Sequence, residues 1–268
     1  MALVSFKSLI PQYADRHQAF LGINFDNPEM LLGILDAAET LSTPLFVQVT
    51  PETLALWGRD TLIPWLRHAL DRLNVPLALH LDHATDLDVL QQALNHGFTS
   101  VMYDGSAKSW DDNVQETCRV VEWAKSFDAT IEAEIGHVAK PGEPPAWASL
   151  TTPEEAQRFA AATGVDLLAV AVGNKHGAVK NTLGLDWDRL EAIHHVCPTP
   201  LVLHGGSGIV LNDYPALKVR GIVKINVGTE LRRLWWKTLE ENQGEKPRKL
   251  QRLIRDRIQK SVIEMLMA

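Results

Sequence analysis

Cysteine is scarce in this chain: Cys118 and Cys197 are the only two among 268 residues, and no CxxC spacing exists. That excludes a disulfide framework. No apolar run approaches the roughly 18 residues that a membrane span needs. The N-terminal stretch MALVSFKSLIPQYADRH is interrupted by Lys7, Pro11 and Asp15, too early for the apolar core of a signal peptide. Positive charge is in deficit, with 26 Lys and Arg against 33 Asp and Glu and a net charge of -7. An acidic chain is poorly suited to broad nucleic-acid binding. A small anion is not excluded, because backbone amides hold phosphate without net positive charge. No linker or low-complexity segment divides the chain, and no GxGxxG follows the first apolar run. The expectation is a soluble protein of a reducing compartment, the cytoplasm, that engages neither nucleic acid nor membrane.

What is present is alternation. Eight short apolar runs read as strands: Ala19–Phe25, Pro44–Val49, Pro76–Leu81, Ser100–Tyr103, Thr130–Glu134, Leu167–Ala171, Leu201–Leu203 and Ile222–Ile225. Most are continuously apolar, as strands buried on both faces are. Between them lie helical patterns. Glu29–Leu41 carries Met30, Leu31, Ile34, Leu35 and Ala38 on one stripe. Thr85 is expected to cap a helix over Leu87–Leu94. Thr152-Pro153-Glu154-Glu155 is a stronger start, with a capping Thr, Pro in the first turn and Glu three residues after the cap. Asp111–Phe127, Trp187–Val196, Thr229–Glu241 and the basic amphipathic Lys246–Met267 complete the set. Eight strands each followed by a helix or long connection predict an α/β fold, a (β/α)8 TIM barrel, as one domain over 1–268. The C-terminal helix would pack on the barrel or on a neighbouring subunit. The Gly/Pro-rich stretch Lys140–Ala148 reads as a loop on the barrel.

Barrels carry their chemistry at the strand C-terminal ends. In chain order those ends hold Asn24, Thr50, Asp82-His83, Asp104, Glu134, His176-Gly177, His204-Gly205-Gly206-Ser207 and Asn226-Val227-Gly228-Thr229. Three histidines therefore fall at the ends of three strands. Neutral imidazoles suit zinc and similar divalent ions, and a catalytic zinc leaves one position open beside three protein ligands. Asp82, next to His83, would act as general acid or base, or would orient a ligand by hydrogen bonding. Glu132 and Glu134 share a strand face. Glu134, nearer the exit, is the ligand candidate, and Glu132 a partner inside the barrel. His80, deeper on the face of Asp82, reads as structural. The glycine-rich turn after His204 and the helix start at Asn226–Thr229 form a candidate phosphate site, because close-approaching amides and helix N-termini attract anions. Lys224 on the eighth strand raises a competing Schiff-base route.

Six segments together resemble the class II, metal-dependent ketose-bisphosphate aldolases of the fructose and tagatose branch. They are LHLDHATD from Leu79, SVMYDGS from Ser100, IEAEIG from Ile131, AVAVGNKHG from Ala169, LVLHGGSGI from Leu201 and KINVGTELR from Lys224. The resemblance spans nearly the whole chain. It implies that His83, His176 and His204 hold a catalytic zinc, and that Glu134 and Asp104 supply alternative or second-metal ligation. Asp82 would exchange the proton of the substrate's C4 oxygen. Asn24, Thr50, Gly177, Gly205, Gly206, Ser207, Asn226, Gly228 and Thr229 would bind dihydroxyacetone phosphate. The resemblance further implies a monovalent cation near the glycines and a homo-oligomer, dimer or tetramer. The expected activity is reversible cleavage of a phosphorylated ketose to dihydroxyacetone phosphate and an aldehyde.

The chain departs from that pattern in places. The loop after the fifth strand carries a single acid, Glu143, where the family has an acidic pair, and Glu143 is the candidate for exchanging the C1 proton. Thr50 stands in place of the usual Ser, and Val179 in place of an aromatic. Arg248, in Pro247-Arg248-Lys249, is a short match to a segment whose arginine meets the distal phosphate. Two alternatives follow: a lyase or epimerase on a different, non-bisphosphate sugar, or a non-catalytic subunit of a partner enzyme.

Overall fold

Strands buried on both faces need a partner on every side, and here each finds two. The structure, a computed structural model, describes residues 3–138, 150–177 and 184–268. Eight parallel strands run in sequence order: β1 Phe20–Asn24, β2 Leu45–Val49, β3 Leu77–Ala84, β4 Ser100–Tyr103, β5 Thr130–Ile135, β6 Leu167–Val170, β7 Leu201–Leu203 and β8 Ile222–Val227. They close into a barrel because β1 also pairs with β8, Phe20 to Val227 in register with one another across four positions from Phe20↔Lys224 to Ile23↔Val227. All eight expected strands are present. β3 is longer than its apolar run, extending through Asp82 and His83 to Ala84.

Helix α1 Ile10–Asp15 packs under the barrel, and the other helices wrap the outside: α2 Pro28–Leu41, α3 Pro51–Trp57, α4 Arg59–Asp71, α5 Leu87–Asn95, α6 Trp110–Ser126, α7 Pro153–Thr163, α8 Trp187–Val196, α9 Tyr214–Lys218, α10 Thr229–Glu241 and α11 Pro247–Leu266. Thr152 makes the expected capping box with Glu155. The cap of α5 is Asp86 rather than Thr85, its carboxylate accepting from the amides of Asp88 and Val89. An ionised acceptor next to two free amides outcompetes a hydroxyl one residue earlier. α11 lies against α2, where Gly33 lets the helices approach the Arg255 carbonyl and Ile258 closely. Arg255 forks onto Asp36 across that seam. No helix among the described residues is long and apolar enough to cross a membrane.

Because side chains alternate along a strand, the barrel interior is layered. At the bottom Phe6, Phe20 and Phe46 pack ring against ring, with centroids 4.7 to 5.6 Å apart, beside Ala78, Leu167, Val202 and Val223. The N-terminal segment plugs this end: the Phe6 amide donates to Thr130 Oγ1 at 3.0 Å. The next layer holds Gly22, Gln48, His80 and Glu132, two residues higher on their strands, and Lys224, one residue past Val223 where β8 shifts register against β7. Two higher again come Asn24, Asp82, Glu134 and Asn226, at the mouth. The interior thus turns from apolar to charged along its axis.

Candidate metal centre and active site

The mouth is shaped first by the end of β3. Its register against β4 shifts between Leu81 and Ala84, so β3 carries one residue more than its partner. His83 takes up this bulge with φ of 53°. A non-glycine residue in the left-handed region is uncommon and tends to mark a functional site. The bulge lets two consecutive side chains, Asp82 and His83, serve one pocket, which a regular strand forbids.

The three imidazoles converge. His204 Nδ1 faces His83 Nε2 at 2.8 Å. The rings of His83, His176 and His204 stand nearly perpendicular in pairs, with centroids 4.5 to 5.7 Å apart. One nitrogen from each lies within 4.8 Å of the others, and His83, Asp104 and Glu134 form a second such group. His83 belongs to both, its Nδ1 lying 3.0 Å from Asp104 Oδ2. Burial disfavours charge on His83, but the carboxylates of Asp82, Asp104 and Glu134 outweigh it and raise the ring to about 9. Burial first, and the Asp104 charge second, push Glu134 up to about 8. Glu134 Oε2 is buried with no hydrogen-bond partner among the described residues, 3.9 Å from His204 Nδ1. Three imidazoles around one point, with His83 shared with a second group of Asp104 and Glu134, are a donor set that fits a divalent cation of the zinc type.

Asp82 is held by amides. Asn24 Nδ2 donates to Asp82 Oδ2 at 2.9 Å and Asn226 Nδ2 to Oδ1 at 3.3 Å. Gln48 Nε2 in turn donates to Asn24 Oδ1 at 3.3 Å. Burial opposes ionisation of Asp82, yet His83, His204 and Lys224 hold it well below the usual carboxylate range. Sequence reasoning passed over Gln48 and Gly22. A Cβ at Gly22 would lie 1.8 Å from Gln48 Oε1 and 2.5 Å from Asn226 Oδ1, so only glycine admits this belt of amides. The period-two spacing of Gln48 from Phe46 was the signal available.

A pocket of about 120 Å³ opens above. It is lined by Asn24, Thr50, Asp82, His83, His176, Gly177, His204, Gly205, Ser207, Asn226, Gly228, Thr229 and Arg232. Gly205 has φ of 71°, and a Cβ there would lie 2.4 Å from the Lys175 carbonyl. Gly206 does not line the pocket; it seats the turn against Ile225 and the Asn226 carbonyl. Ser207 Oγ accepts from the amides of Gly228 (3.3 Å) and Glu230 (3.0 Å), so it caps α10 from another loop. Among the described residues its own hydroxyl hydrogen meets no acceptor. Arg232, which the sequence did not single out, sits at the rim on Asp26. Arg248 lies elsewhere, in a surface cavity with Pro28, Glu29, Leu32, Gln251, Arg252 and Arg255. Glu143 and Val179 fall outside the described residues. Lys224 does not line the pocket; it is fully buried one layer below.

A closed parallel barrel with a polar, ligand-rich pocket at its C-terminal mouth defines a (β/α)8 enzyme. Residues 4–268 match the family profile described as fructose-bisphosphate aldolase class-II. The chain belongs to that family, whose members bind small sugar phosphates, and it is an aldolase, a lyase. Among solved structures it is similar to the YdjI aldolase from Escherichia coli K12, at 29% identity over 99% of this chain and 96% of that one, with a TM-score of 0.89. It is also similar to a candidate fructose-1,6-bisphosphate aldolase from Coccidioides immitis, at 29% identity over 97% and 94% of the two chains, TM-score 0.88. A fructose-bisphosphate aldolase from Campylobacter jejuni, 19% identical over 98% and 94% with a TM-score of 0.81, shares the fold.

Proposed function

We propose that the protein is a zinc-dependent aldolase that reversibly cleaves a phosphorylated ketose to dihydroxyacetone phosphate and an aldehyde. The observation that carries this is the convergence of three strand-end imidazoles beside an amide-held carboxylate. His83, His176 and His204 would hold the zinc, with Asp104 and Glu134 at hand for a second or alternative position. Bound there, zinc supplies a Lewis acid that polarises the substrate carbonyl and stabilises charge developing beside it.

The protein's own groups do the rest. Asp82 takes the proton of the C4 hydroxyl as the carbon–carbon bond breaks and returns it in the synthetic direction. Its ionised state, kept by neighbouring positive charge, suits it to begin as the base. Asn24 and Asn226 fix its two oxygens. Glu143 is the proposed exchanger of the C1 proton. The amides around Gly205 and at Gly228–Thr229, with the Ser207 hydroxyl, receive the phosphate, whose charge the N-terminus of α10 favours. We read residues 1–268 as one domain in which α11, packed on α2, is integral.

Chelation followed by zinc add-back tests the reading. Activity on ketose phosphates should vanish and return; activity that survives complete metal removal would overturn it. Arg248 lies apart from the pocket lining, so a panel of aldehydes with dihydroxyacetone phosphate as donor defines the far end of the substrate. Inactivity across the whole panel would overturn dihydroxyacetone phosphate as the donor.

A further inference from the structure

The layer beneath the pocket holds charges that the proposed reaction does not use. Lys224, Glu132 and His80 are all fully buried. Lys224 Nζ donates to Glu132 Oε2 at 2.6 Å, lies 3.4 Å from His80 Nε2 and sits 5.0 Å from the centre of the Phe46 ring. An ammonium only donates, so His80 Nε2 accepts. The neutral His80 ring then carries its hydrogen on Nδ1, 2.7 Å from Ser100 Oγ. Burial, then the Lys224 charge, keep that ring neutral, down to about 3. The other Glu132 oxygen, Oε1, lies 2.9 Å from His204 Nε2.

We propose that Glu132 and Lys224 are positioning residues for His204: the buried ammonium clamps the carboxylate, and the carboxylate takes the Nε2 hydrogen of His204, leaving the Nδ1 lone pair at the mouth. This rests on the reading of His204 as a metal ligand. The geometry allows one chain of hydrogens. Glu132 Oε2 is occupied by Lys224, so Oε1 is the acceptor for His204. An anionic acceptor at 2.9 Å outweighs the Asn226 amide, which lies 3.3 Å from the same nitrogen. With Nε2 protonated, Nδ1 is bare, and it points at His83 Nε2. A lysine on β8 that looks placed for a Schiff base therefore serves as a fixed counter-charge. It has no path to a carbonyl in the pocket, and moving it would strand a buried carboxylate.

The test measures zinc affinity by competition with a chromophoric chelator, on the purified chain, for wild type, H204A, E132Q, K224M and the double variant E132Q/K224M. E132Q should weaken zinc binding about 10- to 100-fold, the usual effect of losing a partner that orients a ligand. K224M leaves an uncompensated carboxylate and folds poorly if at all; the double variant removes both charges and keeps the fold, checked by circular dichroism. It should bind zinc as weakly as E132Q. Long-range proton–nitrogen NMR of the metal-free protein supplies a readout that a merely structural role leaves unmoved. His204 should carry its hydrogen on Nε2 in wild type and be a mixture of tautomers in the double variant. Wild-type zinc affinity in H204A would overturn the metal reading and this inference with it. Loss of zinc in H204A together with affinity within about twofold of wild type in E132Q/K224M would overturn the positioning role alone.

Discussion

Single atoms decide whether this pocket works. Asp82 owes its place to two side-chain amides and to the missing Cβ of Gly22. Asp82→Ala should lower kcat by about 10²- to 10⁴-fold, the range of a general acid–base group. Zinc content should stay near one per chain. Loss of zinc in that variant would instead make Asp82 a holder of the neighbouring ligand. Gly22→Ala probes the same carboxylate from below. The new methyl group must push aside Gln48 and Asn226, and a carboxylate displaced by about 1 Å loses roughly 100-fold in rate. The expected result is a fall in kcat with metal content intact; unchanged kinetics would show that the amide belt yields without moving Asp82. Gly22 and Gln48 were illegible as site residues because neither has catalytic chemistry. Their importance lies in what they leave room for.

At the scale of elements, the sequence announced caps and periods well and breaks in period poorly. Trp187–Val196 and Thr229–Glu241 appear with the expected ends, and Thr152 caps α7 in the expected box. The bulge in β3 is a different matter: nothing in Leu81-Asp82-His83-Ala84 marks an extra residue, since the mismatch exists only relative to β4. The cap of α8 yields a prediction in pH. Asp186 accepts from the Arg189 amide and pairs with its guanidinium, which hold its carboxyl below the usual value. A lowered folded pKa contributes stability above the unfolded value of about 3.9, and that contribution fades as pH falls through the folded value. Asp186→Asn keeps a competent cap but loses the charge. Wild type should therefore be the more stable in urea at about pH 7, with the gap narrowing as pH falls below about 3.9. A gap that is constant across that range would remove Asp186 as a source of acid sensitivity.

At the scale of the whole molecule, closure is the central fact. The barrel is sealed below by phenylalanines and braced at the side by α11 against α2. That brace depends on Gly33, where even a Cβ would lie 2.7 Å from the Arg255 carbonyl and 2.9 Å from Ile258 Cβ. Gly33→Val should cost about 1–3 kcal/mol by overpacking. A thermal melt should show that as a loss of about 2–4 °C for each kcal/mol. Zinc affinity should be untouched, because the seam lies outside the barrel wall. An unchanged melting temperature would mean that α11 can slide along α2.

By itself the sequence determined the alternation of eight buried strands with amphipathic helices, and with it the barrel, because periodicity and continuous apolar runs are local properties. It also determined which residues stand at strand ends, so that His83, His176 and His204 were legible as candidates. Only the tertiary structure decided that their nitrogens meet, that Arg248 stands apart and Arg232 at the rim, and that Lys224 is buried against Glu132. Those are distances between residues remote in the chain. They are set by how the closing of the sheet brings each strand's alternating face to the same axis, and no local pattern encodes them.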